Sequence, residues 1–401
     1  RQRNDGSFEA RYTIGKGTDG KQIQKSIYGK TKKEVREKLA EALHALSSGQ
    51  YIEPTKTTLG EWLNIWFKEY VSNSIKLSTK VSYELFITKH ITPVIGHVQL
   101  KDLKPDTLQK FYNEKLLSGR LDGKGGLNPK TIKNIHNMLH AALEQALKNN
   151  LVFRNVSGTV VLPKTKKREM RVLNPLEQKK LLTAARNDRY GVAIILDLAT
   201  GLRLGELLAL KWDDIDLNKS TLTVKHTINR LKAFDCSDNK KTQIVLGEPK
   251  TRNSNRVIPL QSVISEELKA HRIAQFKEKQ KFVGVYQDDG FVFATELGRP
   301  VEPRTFQDVF NRIRRAAGVA EANFHCLRHT FATRALEAGI PAKTVSEILG
   351  HANISTTLDL YSHVSLDLKR ESMEKLAGLF VNPVEDYIVT EKNENNIIRI
   401  G

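Results

Sequence analysis

Residues 325–339 read HCLRHTFATRALEAG, and residues 349–361 read LGHANISTTLDLY. The first run has helical character: His325 and Arg328, three residues apart, share a helix face, while Phe331, Leu336 and Ile340 are expected to look towards a core. A basic polar cluster on an apolar base is a device for holding an anion, and His351 and Tyr361 follow close behind it. Which anion is held, and what is done to it, depends on the rest of the chain.

The chain has 401 residues, too many for one ordinary core, which points to two or three domains, and 39% hydrophobic content suffices to fold them. Its 64 Lys and Arg against 45 Asp and Glu give a formal charge of +19. A surface this basic calls for a polyanionic partner, nucleic acid foremost, with a membrane surface as the alternative. No apolar run approaches the ~20 residues needed to span a bilayer, and the first residues lack the hydrophobic core of a secretory signal. No membrane partner is therefore expected, and the location expected is the bacterial cytoplasm, at the nucleoid in function. Cys236 and Cys326 are far apart and belong to no CxxC pair, so neither a disulfide framework nor a structural zinc site is indicated. Because the first residue is Arg1 rather than methionine, further N-terminal residues are expected to precede it.

The pattern along the chain implies a multidomain, mainly α protein with small β elements. In residues 1–50, turn chemistry at Asn4-Asp5-Gly6 and Asp19-Gly20 separates alternating runs, giving two good strands and the stump of an earlier one, a three-stranded sheet in all. A helix follows, opened by a Thr31/Glu34 capping box and carrying Val35, Leu39, Leu43 and Leu46 along one stripe. Residues 57–155 are wholly helical in pattern. Leu59, Trp62, Leu63, Trp66 and Tyr70 trace one stripe; Val81 with Leu85, Leu108 with Phe111, and Ile132, Ile135, Leu139 and Leu143 trace three more, which implies a helical bundle. Residues 156–174 read as a basic interdomain linker, with Lys164, Lys166 and Lys167 set to lie along phosphate. Residues 175–385 form a mixed α+β domain, with helical runs at 175–186, 190–200 and 204–211 and strand-like runs at 220–230, 241–247 and 255–260. Residues 386–401 are a polar tail.

Three further stretches bear on the anion. TGLRLGELLALKW places Arg203 just after a glycine at a helix start, EPKTRNSNRVIPL places Lys250 at a turn between strand-like runs, and LGHANISTTLDLY supplies His351 and Tyr361. Together with HCLRH these resemble the tyrosine recombinase, or phage-type integrase, family, and are most similar to integrases of conjugative transposons, integrative elements and temperate phages. The resemblance covers the C-terminal half, from about Leu173 to Leu379, and the small β domain and helical bundle before it agree in order and size. It implies an arm-type DNA-binding domain, a helical core-binding domain and a tyrosine recombinase catalytic domain. It further implies that Arg203, Lys250, His325, Arg328, His351 and Tyr361 are the catalytic set. One departure is Cys326, where this box usually has an aspartate; that exchange is expected to loosen support of the arginine.

The chemistry of these residue types agrees with that assignment. A phosphodiester repels an attacking oxygen, and its trigonal-bipyramidal transition state concentrates charge on the non-bridging oxygens. Arg203 and Arg328 offer planar, permanently charged forks for those oxygens. Tyr361, with an unperturbed pKa of ~10, needs a base or a strong positive field, and His325 is the candidate to take its proton. Lys250 is then suited to protonate the departing 5′-oxygen, and His351 to hydrogen-bond a non-bridging oxygen. The scheme calls for no metal and no cofactor. It yields a 3′-phosphotyrosine link that another 5′-hydroxyl can reverse without ATP. Joining two duplexes takes four such cleavages, hence a homotetramer on double-stranded DNA passing through a Holliday junction, with an accessory factor able to set the direction towards excision.

Other readings are weaker. WDDIDLN, residues 212–218, is read as a solvated turn before a strand rather than a two-metal site, and GKGG within residues 119–130 lacks the context of a phosphate-binding loop. A type IB topoisomerase or a catalytically silent DNA-binding regulator are the functional alternatives. In the N-terminal sheet, Arg11, Lys21 and Lys25 are candidates to contact a major groove.

Overall fold

The computed structural model describes residues 1–16, 21–47, 56–165, 170–232, 242–247, 255–361 and 373–374. The chain forms two compact units, Arg1–Lys167 and Arg168–Gly401.

In the first unit, strands β1 (Phe8–Lys16) and β2 (Gln22–Gly29) pair antiparallel, with a bulge between Thr13 and Gly15. The earlier strand is reduced to a single bridge, Gln2↔Phe8, so among the described residues the sheet has two strands. Helix α1 (Lys32–Ser47) packs on this hairpin through Val35. Its start is fixed by the Thr31 hydroxyl, which accepts from Glu34 N at 3.2 Å, and by the Glu34 carboxylate, which accepts from Lys30 N at 2.8 Å.

The helical part starts with α2 (Leu59–Ile65), opened by a Thr58/Glu61 capping box. It continues through a π-helical turn, Trp66–Val71. Helix α3 (Leu77–Leu85) likewise runs into a π turn, Phe86–Ile91, before the short α4 (Thr92–Ile95). The longer α5 (Pro105–Ser118) and α6 (Pro129–Lys148) complete the bundle. Its core holds Leu59, Trp62, Leu63, Trp66, Leu108, Phe111, Ile132, Ile135, Leu139 and Leu143, as the periodicity requires. The π turns alter the rest. An extra residue per turn rotates the stripe: Tyr70, inside the first π turn, is exposed, and in the second Phe86, Ile87, His90 and Ile91 are buried, while Leu85, just before it, is exposed. In the glycine-rich loop, a Cβ on Gly126 would lie 1.6 Å from the Leu116 carbonyl oxygen, so backbone packing accounts for that glycine. Beyond the bundle, a 3₁₀ turn at Val156–Thr159 and residues Val160 and Leu162 pack on its core, and the Gln109 amide brackets Val161 through N–H and C=O.

The second unit opens with α7 (Pro175–Arg186), capped reciprocally by Asn174 and Glu177, followed by α8 (Gly191–Thr200), which is buried almost throughout, and the short α9 (Leu204–Ala209). Strands β3 (Ile215–Asp216), β4 (Thr221–Val224) and β7 (Arg256–Pro259) form an antiparallel sheet in the order β3-β4-β7. Between β4 and β7 in sequence, β5 (Thr227–Lys232) and β6 (Thr242–Gly247) make a separate hairpin. The strand-like run at 220–230 thus breaks at Lys225 and His226 and serves two sheets. In the WDDIDLN turn, Asp214 pairs with Lys225 at 2.9 Å and accepts from Lys211 N, while Asp216 accepts from Asn218 N and Lys219 N. Helices α10 (Ser262–Lys281), α11 (Pro303–Ala316), α12 (Cys326–Glu337), α13 (Ala342–Leu349) and α14 (Ser355–Tyr361) follow. Leu208, Leu222, Ile258, Phe293, Phe306, Phe310 and Leu327 lie in the main core, and Leu336, Val345 and Leu349 tie α12 to α13 in a second cluster.

Candidate active site

The end of α13 organises the site. Gly350 sits in the left-handed region, φ 65° and ψ 45°, and closes the helix with two bonds: Gly350 N to the Glu347 carbonyl and His351 N to the Ser346 carbonyl, each 3.0 Å. The carbonyls of Ile348, Leu349 and Gly350 are left outside that closure, at the negative end of the helix dipole. Each receives a guanidinium from a different element. Arg256 of β7 donates through Nε to Ile348, Arg328 of α12 through Nη2 to Leu349 at 2.7 Å, and Arg203 through Nη2 to Gly350 at 3.1 Å.

Arg203 is the residue before α9. A Cβ on Gly205 would meet Thr227 Oγ1 at 2.5 Å and the Ile228 carbonyl oxygen at 2.7 Å, so glycine there lets β5 lie against α9. Gly201 caps α8 at φ 65°, and a Cβ there would lie 2.6 Å from both Leu349 Cδ2 and Phe331 Cδ1. The Gly201 carbonyl accepts from Arg328 Nη1 at 2.7 Å. The two glycines of TGLRLGEL therefore let the end of α8 pack on α12 and α13 and let α9 pack on β5, on either side of Arg203.

Glu206, 3% exposed, lies between two of these cations: Oε1 accepts from Arg203 Nη1 at 2.6 Å and Oε2 from Arg256 Nη2 at 3.0 Å. Burial opposes its ionisation, but Arg256 and Arg203 outweigh burial and hold the carboxyl below its ordinary range. Arg328 is 3% exposed; burial, aided by the like charge of Arg203 and Arg256, brings it down to about 9, which leaves it charged at neutral pH. Asp197, on α8, is fully buried with neither carboxyl oxygen hydrogen-bonded, and burial raises it well above the ordinary value against the pull of Arg328.

His325 precedes α12 and meets His329 edge to face, ring centroids 4.5 Å apart. Part of its surface is exposed, yet crowding of the ring, with His329, Arg328 and Arg203 acting in the same direction, lowers it to about 4. His351 is half-buried and lowered to about 4 by burial and by Arg328, Arg203 and Arg256. Its Nδ1 lies 2.8 Å from Oγ1 of Thr357, a fully buried residue of α14. Both rings are therefore neutral at neutral pH.

Arg203, His325, Arg328 and His351 are thus brought together. Tyr361 is the last residue of α14, one helical turn beyond Thr357, and only its backbone is among the described features. Lys250, Lys166 and Lys167 lie outside the described residues. Arg11 on β1 is paired with Glu9 at 2.9 Å, Lys25 on β2 stands opposite Tyr12, and Lys21 and Lys164 are exposed. Arg328 is itself buried rather than projecting from an apolar base, and Ile340 is exposed rather than in the core. Cys326 is buried, and burial pushes its thiol up to about 12. Arg256, Asp197 and Thr357 were not singled out by the motifs; a lone carboxylate in the apolar run GVAIILDLAT was the one available signal.

Beside Arg203 a cavity of about 610 Å³ opens between β5 and α11, with Asn229 and Arg230 on one wall and Arg304 and Gln307 on the other. A smaller one of about 310 Å³ shares Leu204 and Gln307 with it and reaches His325. An open groove lined by Arg203, Arg230 and Arg304 suits an extended phosphate backbone.

The sequence matches the family model described as the phage integrase family over residues 171–367, and that of the phage integrase N-terminal SAM-like domain over residues 58–116. A tyrosine recombinase XerC-like protein of Caldanaerobacter subterraneus subsp. tengcongensis is 35% identical over 384 residues, covering 93% of this chain and 96% of its own length. The ICEBs1 integrase of Bacillus subtilis is 27% identical over 323 residues, covering 76% of this chain and 80% of its own. In fold, the chain is similar to the Tn1549 transposon integrase solved in complex with a circular intermediate DNA, with a TM-score of 0.64 at 23% identity over 80% of this chain and 99% of that one. It is also similar to a lambda integrase solved as a tetramer bound to a Holliday junction, with a TM-score of 0.54 at 23% identity over 90% of this chain and 93% of that one.

Proposed function

The chain belongs to the tyrosine recombinase, or phage integrase, family, and on that premise we propose that it is a site-specific DNA recombinase that integrates and excises a mobile genetic element. The observation that carries this reading is the pair of guanidinium groups, Arg203 and Arg328, anchored on backbone carbonyls beside two neutral histidines.

In the proposed mechanism a backbone phosphate of double-stranded DNA enters the groove beside Arg203. Arg203 and Arg328 each use donors not spent on carbonyls to bind its non-bridging oxygens, and hold them more tightly as charge accumulates in the transition state. Tyr361 attacks phosphorus and forms a 3′-phosphotyrosine bond while the bond to the 5′-oxygen breaks. His325, being neutral, is able to take the phenolic proton, and Lys250 gives one to the departing 5′-oxygen. His351 donates to a non-bridging oxygen from Nε2, with Nδ1 turned to Thr357. The Thr357 contact also ties this histidine to the helix that ends in the nucleophile.

Exchange between two duplexes runs through a Holliday junction in a homotetramer. The lambda integrase tetramer bound to such a junction supports this reading by similarity of fold. The element-borne relatives, ICEBs1 and Tn1549 integrases, support integration and excision of a mobile element as the biological task. Arg11, Lys25 and the basic stretch around Lys164 are proposed as further DNA contacts, Arg11 after exchanging Glu9 for phosphate.

Nicked duplexes carrying the element ends test the proposal. The wild-type chain should give a covalent protein–DNA adduct on a denaturing gel, and Tyr361→Phe should bind the same duplex without forming it. An adduct that persists in Tyr361→Phe refutes the nucleophile.

A further inference from the structure

Arg256 lies on β7, outside the signature stretches, yet its side chain is 7% exposed and touches two parts of the site. Nη2 binds Glu206 Oε2 at 3.0 Å, and Nε binds the Ile348 carbonyl at the end of α13. Glu206 in turn gives its other oxygen, Oε1, to Arg203 at 2.6 Å. The carboxylate is thus divided between two guanidinium groups, one facing the core and one facing the groove.

That division governs what Arg203 has left to offer. A guanidinium has five N–H donors. Among the described residues Arg203 spends one on Glu206 and one on Gly350, leaving three for a phosphate. A carboxylate with a free second oxygen instead forms a side-on pair with the nearest arginine through two parallel bonds, the stronger arrangement. Without Arg256, Oε2 of Glu206 keeps, among the described residues, only the Arg203 backbone N–H at 3.2 Å, and the Arg203 guanidinium is the cation left for it to turn to.

Resting on the recombinase reading above, we infer that Arg256 is a positioning residue for strand cleavage: by occupying one oxygen of Glu206 it keeps Arg203 in an end-on pair, with its remaining donors directed to the scissile phosphate. Arg256 does not touch DNA in this scheme. Its second bond, to Ile348, holds β7 against the same helix end that anchors Arg203 and Arg328.

The test is single-turnover adduct formation on a nicked duplex by the full chain. Arg256→Gln should slow adduct formation roughly 10-fold or more while the Kd for the duplex stays within about 3-fold, since the change acts on the transition state through Arg203. Adding Glu206→Gln should restore at least about 5-fold of that loss, because a neutral amide no longer draws Arg203 away; a purely structural role gives further loss instead. Arg256→Lys, which keeps a cation on Oε2, should stay within about 3-fold of wild type. The role is overturned if Arg256→Gln reacts at the wild-type rate, or if the double variant is no faster than the single one. Should Arg256→Gln fail to melt cooperatively, Arg256→Lys decides: a normal melt with a rate below about a tenth of wild type overturns the role. A wild-type chain that forms no adduct overturns the recombinase reading itself, and this role with it.

Discussion

Asp197→Asn addresses the charge of the pocket directly. Three guanidinium groups stand against the ionised Glu206, and whether Asp197 offsets another of them depends on its proton. Asp197 is fully buried, and neither oxygen has a hydrogen-bond partner. Ionising it there forfeits hydration without replacement, a penalty of several kcal/mol. Retaining the proton costs only about 1.4 kcal/mol for each pH unit above the intrinsic pKa. Burial accordingly raises Asp197 well above the ordinary value, although Arg328 pulls the other way. The unfolded chain releases this proton near pH ~3.9. Above that pH, and up to the raised folded value, the folded chain binds more protons than the unfolded one, so this residue makes wild-type stability fall as pH rises, by at most about 1.4 kcal/mol per unit. Asp197→Asn cannot titrate. Urea unfolding of both full chains, followed by circular dichroism from pH 4.5 to 7, should give a stability difference that moves in favour of Asp197→Asn as pH increases; other titrating groups cancel in that difference. A difference that is flat, or that moves the other way, refutes the reasoning. Adduct formation should stay within about 3-fold of wild type, since the amide leaves the charge of the pocket unchanged.

Other perturbations probe the frame and the cations. Gly201→Ala must adopt a left-handed φ of 65° and place Cβ 2.6 Å from Leu349 and Phe331; strain and overpacking together should cost about 2–5 kcal/mol, seen as a lower melting temperature. Arg203→Lys keeps the charge, but after serving Glu206 and Gly350 its ammonium has one donor left and cannot bind a phosphate at two points; adduct formation should fall roughly 10- to 100-fold with duplex binding retained, and a wild-type rate would remove its role. His351 is lowered to about 4 by burial and neighbouring cations, and His325 to about 4 by crowding of its partly exposed ring and by His329, Arg328 and Arg203. Their unfolded values lie near ~6.5, so the unfolded chain binds more protons between pH 4 and 6.5, and stability should drop as pH falls through that window. A bound phosphate reverses the local field and raises both rings, so duplex affinity measured by anisotropy at fixed ionic strength should rise from pH 7 to pH 5, less steeply in His351→Gln. Equal slopes in the two chains would contradict this.

The order of elements and most of the core were legible because burial leaves a period in the sequence. Thr31 with Glu34 marks a helix start by residue type alone, and the Thr31 hydroxyl accepts from Glu34 N there. Periodicity fails where the backbone departs from 3.6 residues per turn. Nothing in WFKEYV or FITKHI announces a π turn, so Tyr70 read as a core position although it is exposed, and the buried Phe86 and His90 were not read as core. The stump before β1 is similar: alternation marks a strand but cannot say that only Gln2 and Phe8 find each other.

At the site, legibility divided along chemical lines. Residues able to touch phosphate stand in dense, recognisable stretches, whereas those that hold them are dispersed and chemically plain: Arg256 in a strand, Asp197 in an apolar helix, Thr357 before the tyrosine. The LGH stretch shows why. Its glycine ends α13 by a left-handed turn that uses the carbonyls of Ser346 and Glu347 and releases the next three. Those three carbonyls lie at the negative end of a helix dipole, where a cation gains about 0.3–1 kcal/mol, and more when partly buried. Three guanidinium groups that would repel one another are therefore gathered before any DNA arrives, by backbone oxygens whose positions depend on one φ angle. On the proposed mechanism a phosphate would then meet donors already aimed, and its binding energy would be free to favour the transition state rather than to assemble the pocket.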